Sequence, residues 1–254
     1  MKTEILYEDN SILVIRKPAG LAVQSAGIGQ PDVVSELKSY LAKLPSAGRP
    51  GKGEPYLGIV HRLDQPVEGL LVFAKDKKAT AALSKQLTEG ALNKHYYAVL
   101  CGYPDCPEGD LVDYLRKEGN VAVAVTGREQ EFADAKIAAL HYRILEEINA
   151  PSPLALADVT IGTGRFHQIR VQFAHAGFPL LGDTKYGMAA RKEAMPAQKY
   201  RGVALCAYSL ELVHPISGKK MEFRVVPKNP AFAGFAMEEL KKLTENETGI
   251  SKRG

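Results

Sequence analysis

Gly58-Ile59-Val60-His61-Arg62-Leu63-Asp64, then a short Gln65-Pro66-Val67-Glu68 turn, then Gly69-Leu70-Leu71-Val72-Phe73-Ala74-Lys75, is the stretch from which the rest of the chain can be read. Two β-branched residues lead into an apolar/polar alternation, which predicts a strand up to Leu63 with that leucine packed inward and Arg62 and Asp64 sharing the other face. Pro66 has no amide hydrogen for a sheet ladder and biases Gln65 toward extended backbone, so the strand is expected to end near Asp64 and leave its carboxylate at a rim. For an arbitrary aspartate this position means a turn cap or an ion pair with a neighbour such as Arg62.

Outward from that centre, Glu4–Glu8 and Ser11–Lys17 predict a β-hairpin turned by Asp9-Asn10, ended by Pro18-Ala19-Gly20. Val34, Leu37, Tyr40, Leu41 and Leu44 recur at helical spacing, so Pro31–Leu44 is expected to be an amphipathic helix, and Ser46–Pro55 a basic loop close to substrate. Asp76 is placed to cap a helix that buries Ala79, Leu83 and Leu87 and stops at Gly90. Lys94–Gly102 is rich in aromatic and β-branched residues and predicts a strand. Tyr103–Thr126 and Glu131–Asn149 read as irregular β-structure, with one long strand over Ala133–Glu146, and Leu154–Gly162 as another strand. Gly164–Gly177 predicts a helix on which Phe166, Ile169, Phe173 and Ala176 form a stripe, with Arg170 at its edge and in need of an acceptor. Val203–Val213 and Lys220–Val225 read as a hairpin across His214–Gly218. A final helix is expected from Pro230, burying Phe232, Phe235, Ala236, Leu240 and Leu243.

Composition narrows the class. The 254 residues are 45% hydrophobic and 24% charged, as in ordinary globular proteins, with no apolar run of signal-peptide or membrane-span length. A cytoplasmic protein without membrane association is expected. Cys101, Cys106 and Cys206 are an odd set without Cys-x-x-Cys spacing, which argues for reduced thiols rather than disulfides or zinc. The net charge of +4 suits a polyanion but does not single one out. More telling, Arg62, Lys75, Lys77, Lys78, Lys94, Arg165, Arg170 and Lys185 lie beside the motifs.

Taken together, the motifs resemble those of the RluA family of RNA pseudouridine synthases. His61-Arg62-Leu63-Asp64 with the following turn, Gly69 and apolar strand matches the family signature, and Lys17-Pro18-Ala19-Gly20-Leu21 its opening motif. Lys94, Tyr96, Ala98 and Gly102 fall in register with the family's Lys-x-Tyr-x-Ala-x-Val-x-Gly strand, with Leu100 in place of the later valine. Gly164-Arg165-Phe166-His167-Gln168-Ile169-Arg170 is similar to its arginine motif, and the Gly182-Asp183 loop continues the match. The resemblance runs from about residue 5 to 228 and implies an α+β (mixed α/β) fold: a bent, mainly antiparallel β-sheet flanked by helices. It implies a single catalytic domain over 1–245 with a polar tail at 246–254, a short form without the N-terminal RNA-binding module of many relatives. No internal repeat or second core is evident.

The implied activity is isomerisation of uridine to pseudouridine in structured RNA, rRNA or tRNA. Asp64 is then the catalytic carboxylate, acting as nucleophile toward sugar or base or as the base that takes a sugar proton. Arg170 pairs with it and favours its charged form. Tyr96 stacks on the flipped base and assists proton removal at C5; a strand tyrosine is ordinarily core, and only the register singles this one out. Arg62 enters the space the nucleotide vacates and contacts phosphate, and His61, Lys94, Arg165 and His167 complete the RNA-facing set. The reaction transfers no electrons or groups between molecules, so neither cofactor nor metal is required, and no obligate protein partner is evident. The chain departs from the family at Gln65-Pro66-Val67-Glu68, where Glu68 is expected to place a negative charge near the RNA, and at Phe166 and Gln172-Phe173.

Two other readings fit some of the same residues. A non-catalytic RNA-binding protein would use the same basic rim but has no need of a buried-edge Asp–Arg pair. A metallohydrolase on His61, Asp64 and His167 has suitable residue types but no metal-ligand spacing. The kinase loop is set aside, since its order is His-Arg-Asp-Leu and no Gly-rich phosphate loop or Asp-Phe-Gly occurs.

Overall fold

In the computed structural model Asp9 closes the opening hairpin by accepting hydrogen bonds from the amides of Ser11 (2.7 Å) and Ile12 (2.8 Å) on one carboxylate oxygen. The structure describes residues 1–25, 27, 29–44, 54–126, 134–149, 152–187 and 202–236. Their elements are, in order, β1 (Glu4–Glu8), β2 (Ile12–Lys17), α1 (Val33–Leu41), β3 (Gly58–Ile59), β4 (Glu68–Ala74), α2 (Lys77–Thr88), β5 (Asn93–Cys101), β6 (Glu108–Glu118), β7 (Val121–Val125), β8 (Lys136–Ile148), β9 (Leu154–Ile161), α3 (Gln168–His175), β10 (Leu205–Val213) and β11 (Lys220–Arg224), followed by a 3-10 turn at Pro230–Phe232. The fold is α+β, and every strand pair whose register is resolved is antiparallel.

The chain sorts into two compact units, Met1–Lys94 with Ala207–Val225, and His95–Cys206 with Val226–Gly254. In the first, strands run in the order β1-β2-β4-β10-β11, with β3 also on β4. Every residue of β4 is buried, as its continuous apolar run requires of a central strand. Gly69, the second residue of that strand, has φ +125°, and a Cβ there would fall 2.4 Å from the carbonyl oxygen of Ala207 and 2.5 Å from its nitrogen, so only glycine fits. Helices α1 and α2 are capped by Asp32 and Asp76, whose side chains accept from the amides of Ser35 and Ala79. In the second unit the order is β5-β9-β8-β6-β7, with Phe173 of α3 edge-on to Tyr142 of β8.

Four expectations are corrected. The strand before Asp64 ends at Ile59, because Val60, His61 and Leu63 are all buried and the two-residue alternation is broken, so residues 60–67 form a loop. Tyr103–Thr126 is not irregular but contains the hairpin β6–β7, turned at Gly119 with φ +57°. Helix α3 starts at Gln168 rather than near Gly164, because His167 adopts φ +53°; Phe166 and Ala176 are consequently exposed rather than in the stripe. The helix expected from Pro230 is, within the described residues, a 3-10 turn that buries Phe232, with Phe235 buried beyond it. Leu240, Leu243, the 246–254 tail and most of the 46–55 loop lie outside the described residues. No helix among those described is long and apolar enough to cross a membrane, and the three cysteines are unbridged.

Candidate active site

In the first unit the loop bearing Asp64 is shaped from beneath by a lysine. Lys17 ends the buried strand β2 with no exposed surface, and its Nζ donates to the carbonyls of Leu21 (2.7 Å), Pro18 (3.0 Å) and Gln65 (3.0 Å). Three acceptors match the three hydrogens of an ammonium. Burial pulls its pKa down to about 7, while the negative charges of Asp64 and Glu68 pull it back up. The neighbouring turn is stitched on as well: the Gly20 amide donates to the Gln65 carbonyl (2.8 Å), Gln65 Nε2 to the Gly20 carbonyl (3.1 Å), and the Val67 amide to the Asp64 carbonyl (3.1 Å). Val60, Leu63 and Val67 pack inward. Asp64 is left half-buried and Arg62 exposed. The Lys-Pro-x-Gly-Leu and Arg-Leu-Asp stretches are thus one backbone network.

His61, expected among the RNA-facing residues, is in the interior. It is 8% exposed and its Nε2 accepts the Val72 amide at 3.3 Å, tying the loop to β4. Burial, assisted by the positive charge of Lys94, lowers its pKa to about 3, so the ring is neutral at ordinary pH. Lys94 is half-buried, and burial lowers its pKa too. Glu68 does not put its charge on the surface: it is 4% exposed, 4.0 Å from Arg16, and acts on Lys17. A carboxylate one residue before an obligate glycine in a buried strand has no route outward, and two basic side chains compensate it.

In the second unit, Tyr96 is buried on β5 opposite Val159 of β9. Arg170 is 4% exposed and is gripped by Asp183 through two parallel bonds, Nε to Oδ2 at 2.7 Å and Nη2 to Oδ1 at 2.8 Å. Asp183 is itself held by the amides of Lys185 (2.9 Å) and Tyr186 (3.2 Å). A bidentate pair occupies one edge of the guanidinium and fixes its plane. Tyr186 lies under it, with its ring centroid 5.2 Å from Arg170 Cζ. His167 is buried and pairs through Nδ1 with the Tyr186 hydroxyl at 2.6 Å, which in turn accepts the Ala122 amide at 2.7 Å. Among the described residues His167 is the sole non-glycine with positive φ, a conformation histidine tolerates better than most. Arg165 is half-exposed, its Nε on the Ile137 carbonyl at 2.9 Å.

Three positioning groups went unassigned in the sequence. Lys17 was visible as a lysine closing an otherwise apolar strand, Asp183 as the acid in the Gly-Asp loop after Arg170, and Tyr186 has no local signal. Among the described residues no group of three or more His, Cys, Asp or Glu is arranged to hold a metal ion.

The family model described as RNA pseudouridylate synthase matches residues 11–175. Ribosomal large subunit pseudouridine synthase D of Zymomonas mobilis is 33% identical over 225 residues, covering 87% of this chain and 68% of that protein. The protein of the same name from Pseudomonas aeruginosa is 35% identical over 232 residues, covering 88% and 68%. An uncharacterized RNA pseudouridine synthase of Synechocystis is 38% identical over 226 residues, covering 85% and 63%. The solved structure of human RNA pseudouridylate synthase domain containing 4 matches with a TM-score of 0.70 at 23% identity, covering 89% of each chain, a likeness of fold.

Proposed function

Given that the chain belongs to the RNA pseudouridylate synthase family and is an RNA uridine-to-pseudouridine isomerase, we propose that Asp64 is its catalytic carboxylate and that specific uridines of structured RNA are its substrates. The observation that carries this reading is the Asp64 loop: a half-exposed carboxylate on a backbone fixed by a buried ammonium, two residues after an exposed arginine. Preorganisation of this kind is what covalent or proton-transfer catalysis asks of a carboxylate.

The isomerisation breaks the bond from ribose C1′ to uracil N1 and makes one from C1′ to C5. The C5 proton leaves and N1 ends protonated, so nothing is gained or lost overall. Asp64 meets the need for a charged oxygen at the sugar or base while the glycosidic bond is open. The uridine has to leave its stack, at a cost of a few kcal/mol, and Arg62, exposed beside Asp64, fills the gap and meets phosphate. Tyr96 packs against the turned base. We assign Arg170, whose guanidinium plane Asp183 fixes, as the cation of the catalytic set. Lys94 and Arg165 add phosphate contacts; His61 acts from within, by tethering the loop.

The names of the Zymomonas and Pseudomonas relatives make large-subunit rRNA the first substrate to try, with tRNA second. Pseudouridines mapped by carbodiimide-dependent primer extension in rRNA and tRNA from wild-type and deletion strains decide it. A site lost on deletion and restored by the purified protein on the unmodified transcript identifies the substrate. No lost site and no modification of either RNA would refute the reading.

A further inference from the structure

Phe166 is a place where this chain departs from the arginine motif it resembles, and the fold puts it outside. The residue is 39% exposed, although it belongs to a motif whose next residues are buried. Single exposed apolar side chains are ordinary, but this one is arranged. One face lies on the His167 imidazole at 3.8 Å between centroids and 22° between planes. Over the ring, 4.9 Å from its centroid, sits the ammonium of Lys117, an exposed residue of β6. His167 is immobilised by Tyr186 and by its own backbone, so the stack has a rigid floor. The surrounding side chains are basic: Arg165 is anchored on the Ile137 carbonyl, and Lys185 donates to the Asn120 carbonyl at 2.6 Å in the β6–β7 turn. Of the acids on this side, Glu118 is paired with Arg116, on which Asp134 also acts.

The geometry points to Phe166 as a stacking platform for one unpaired base of the RNA, with Lys117, Arg165 and Lys185 as the phosphate contacts around it. The inference rests on the reading of RNA as substrate and deepens it by naming a contact outside the reacting uridine. A base is a better partner for a phenyl face than a hydrated ammonium, because stacking buries apolar area on both sides. On binding, the base takes the place of the Lys117 ammonium, which moves to the adjacent phosphate. Aromatic faces flanked by cations take single-stranded nucleic acid in this way with little regard to sequence.

The chain has no tryptophan, so Phe166→Trp creates a unique fluorophore at the platform. Three probes are titrated into it: a decamer of adenylate, a decamer of abasic ribose phosphate, and a blunt RNA duplex. Strong quenching by the adenylate decamer, with weak response to the other two, supports the platform. Equal response to adenylate and abasic strands, or none to adenylate, overturns it. As a second variant, Phe166→Leu keeps apolar bulk but cannot stack; a roughly ten-fold weaker Kd for the adenylate decamer with an unchanged melting temperature is expected, and an unchanged Kd contradicts the inference. Pseudouridine formation by wild-type protein on rRNA is measured alongside. If that succeeds while the quenching fails, the platform is wrong and the function stands; if it fails, the function is at fault whatever the fluorescence shows.

Discussion

Asp64 and Arg170 are held in opposite ways. The aspartate sits on an irregular loop whose shape is distributed over backbone contacts: the Lys17 ammonium on three carbonyls, Gly20 and Gln65 exchanging bonds, and Val67 closing on Asp64. The arginine sits on a short helix with a left-handed entry, and the hold on its side chain is concentrated in one buried carboxylate, Asp183. The first arrangement leaves its carboxylate half-exposed on a backbone held at several points. The second buries its guanidinium against a bidentate carboxylate and the Tyr186 ring. Under the proposed roles the difference has a reason: a carboxylate that acts on substrate must be reached by it, whereas a cation gains from being fixed in a dry site.

That contrast can be broken by substitution. Asp183→Ala is expected to have the largest effect on stability, about 3–5 kcal/mol, because it leaves a buried guanidinium without its bidentate partner; urea unfolding measures it, and a loss below about 1 kcal/mol would mean that Arg170 is held elsewhere. Lys17→Met strands three carbonyls but also removes a buried charge, so a smaller loss of about 1–3 kcal/mol is expected, with turnover falling more than RNA affinity as the Asp64 loop loosens. Equal falls in both would show that Lys17 serves only the fold. His61 supplies a pH test. Its folded pKa of about 3 lies below the usual 6.5 of the unfolded chain, so from pH 6.5 downward the unfolded state binds a proton that the folded state refuses. Its contribution is full above pH 6.5 and is lost toward pH 3, at up to about 1.4 kcal/mol per pH unit. Stability curves for wild type and His61→Gln should differ in slope across that window, and parallel curves would contradict the buried, neutral ring. The smallest effect on the fold belongs to Arg62→Ala: an unchanged melting temperature, with the salt dependence of RNA binding reduced by about one unit of log–log slope. An unaltered slope would take Arg62 off the phosphates.

Much of this was legible in the sequence, for identifiable reasons. The opening hairpin, the apolar strand β4, the cap at Asp76 and the strand carrying Tyr96 follow from local periodicity and turn chemistry, which depend on near neighbours. At 60–67 the β-branched Ile59 and Val60 predict strand, and a tertiary contact, the Val72 amide on His61, overrides the alternation. Helix α3 begins later than its periodicity predicts, since nothing in Gly164-Arg165-Phe166 announces the left-handed turn at His167. The need of Arg170 for an acceptor can be read from its place at the edge of an apolar stripe. Asp183, thirteen residues on, answers that need in the structure, and no local pattern links the two. Glu68 looked like a surface charge because its compensating partners, Arg16 and Lys17, lie some fifty residues earlier.

The central claim is that Asp64 carries the chemistry, and Asp64→Asn tests it most directly, since the amide keeps the shape and deletes only the charge. The variant is first shown to be folded by its melting temperature and to bind structured RNA like the wild type, and pseudouridine formation on that RNA is then measured in single turnover. The account predicts a fall of roughly ten-thousand-fold or more. Isomerisation at near wild-type rate would contradict it.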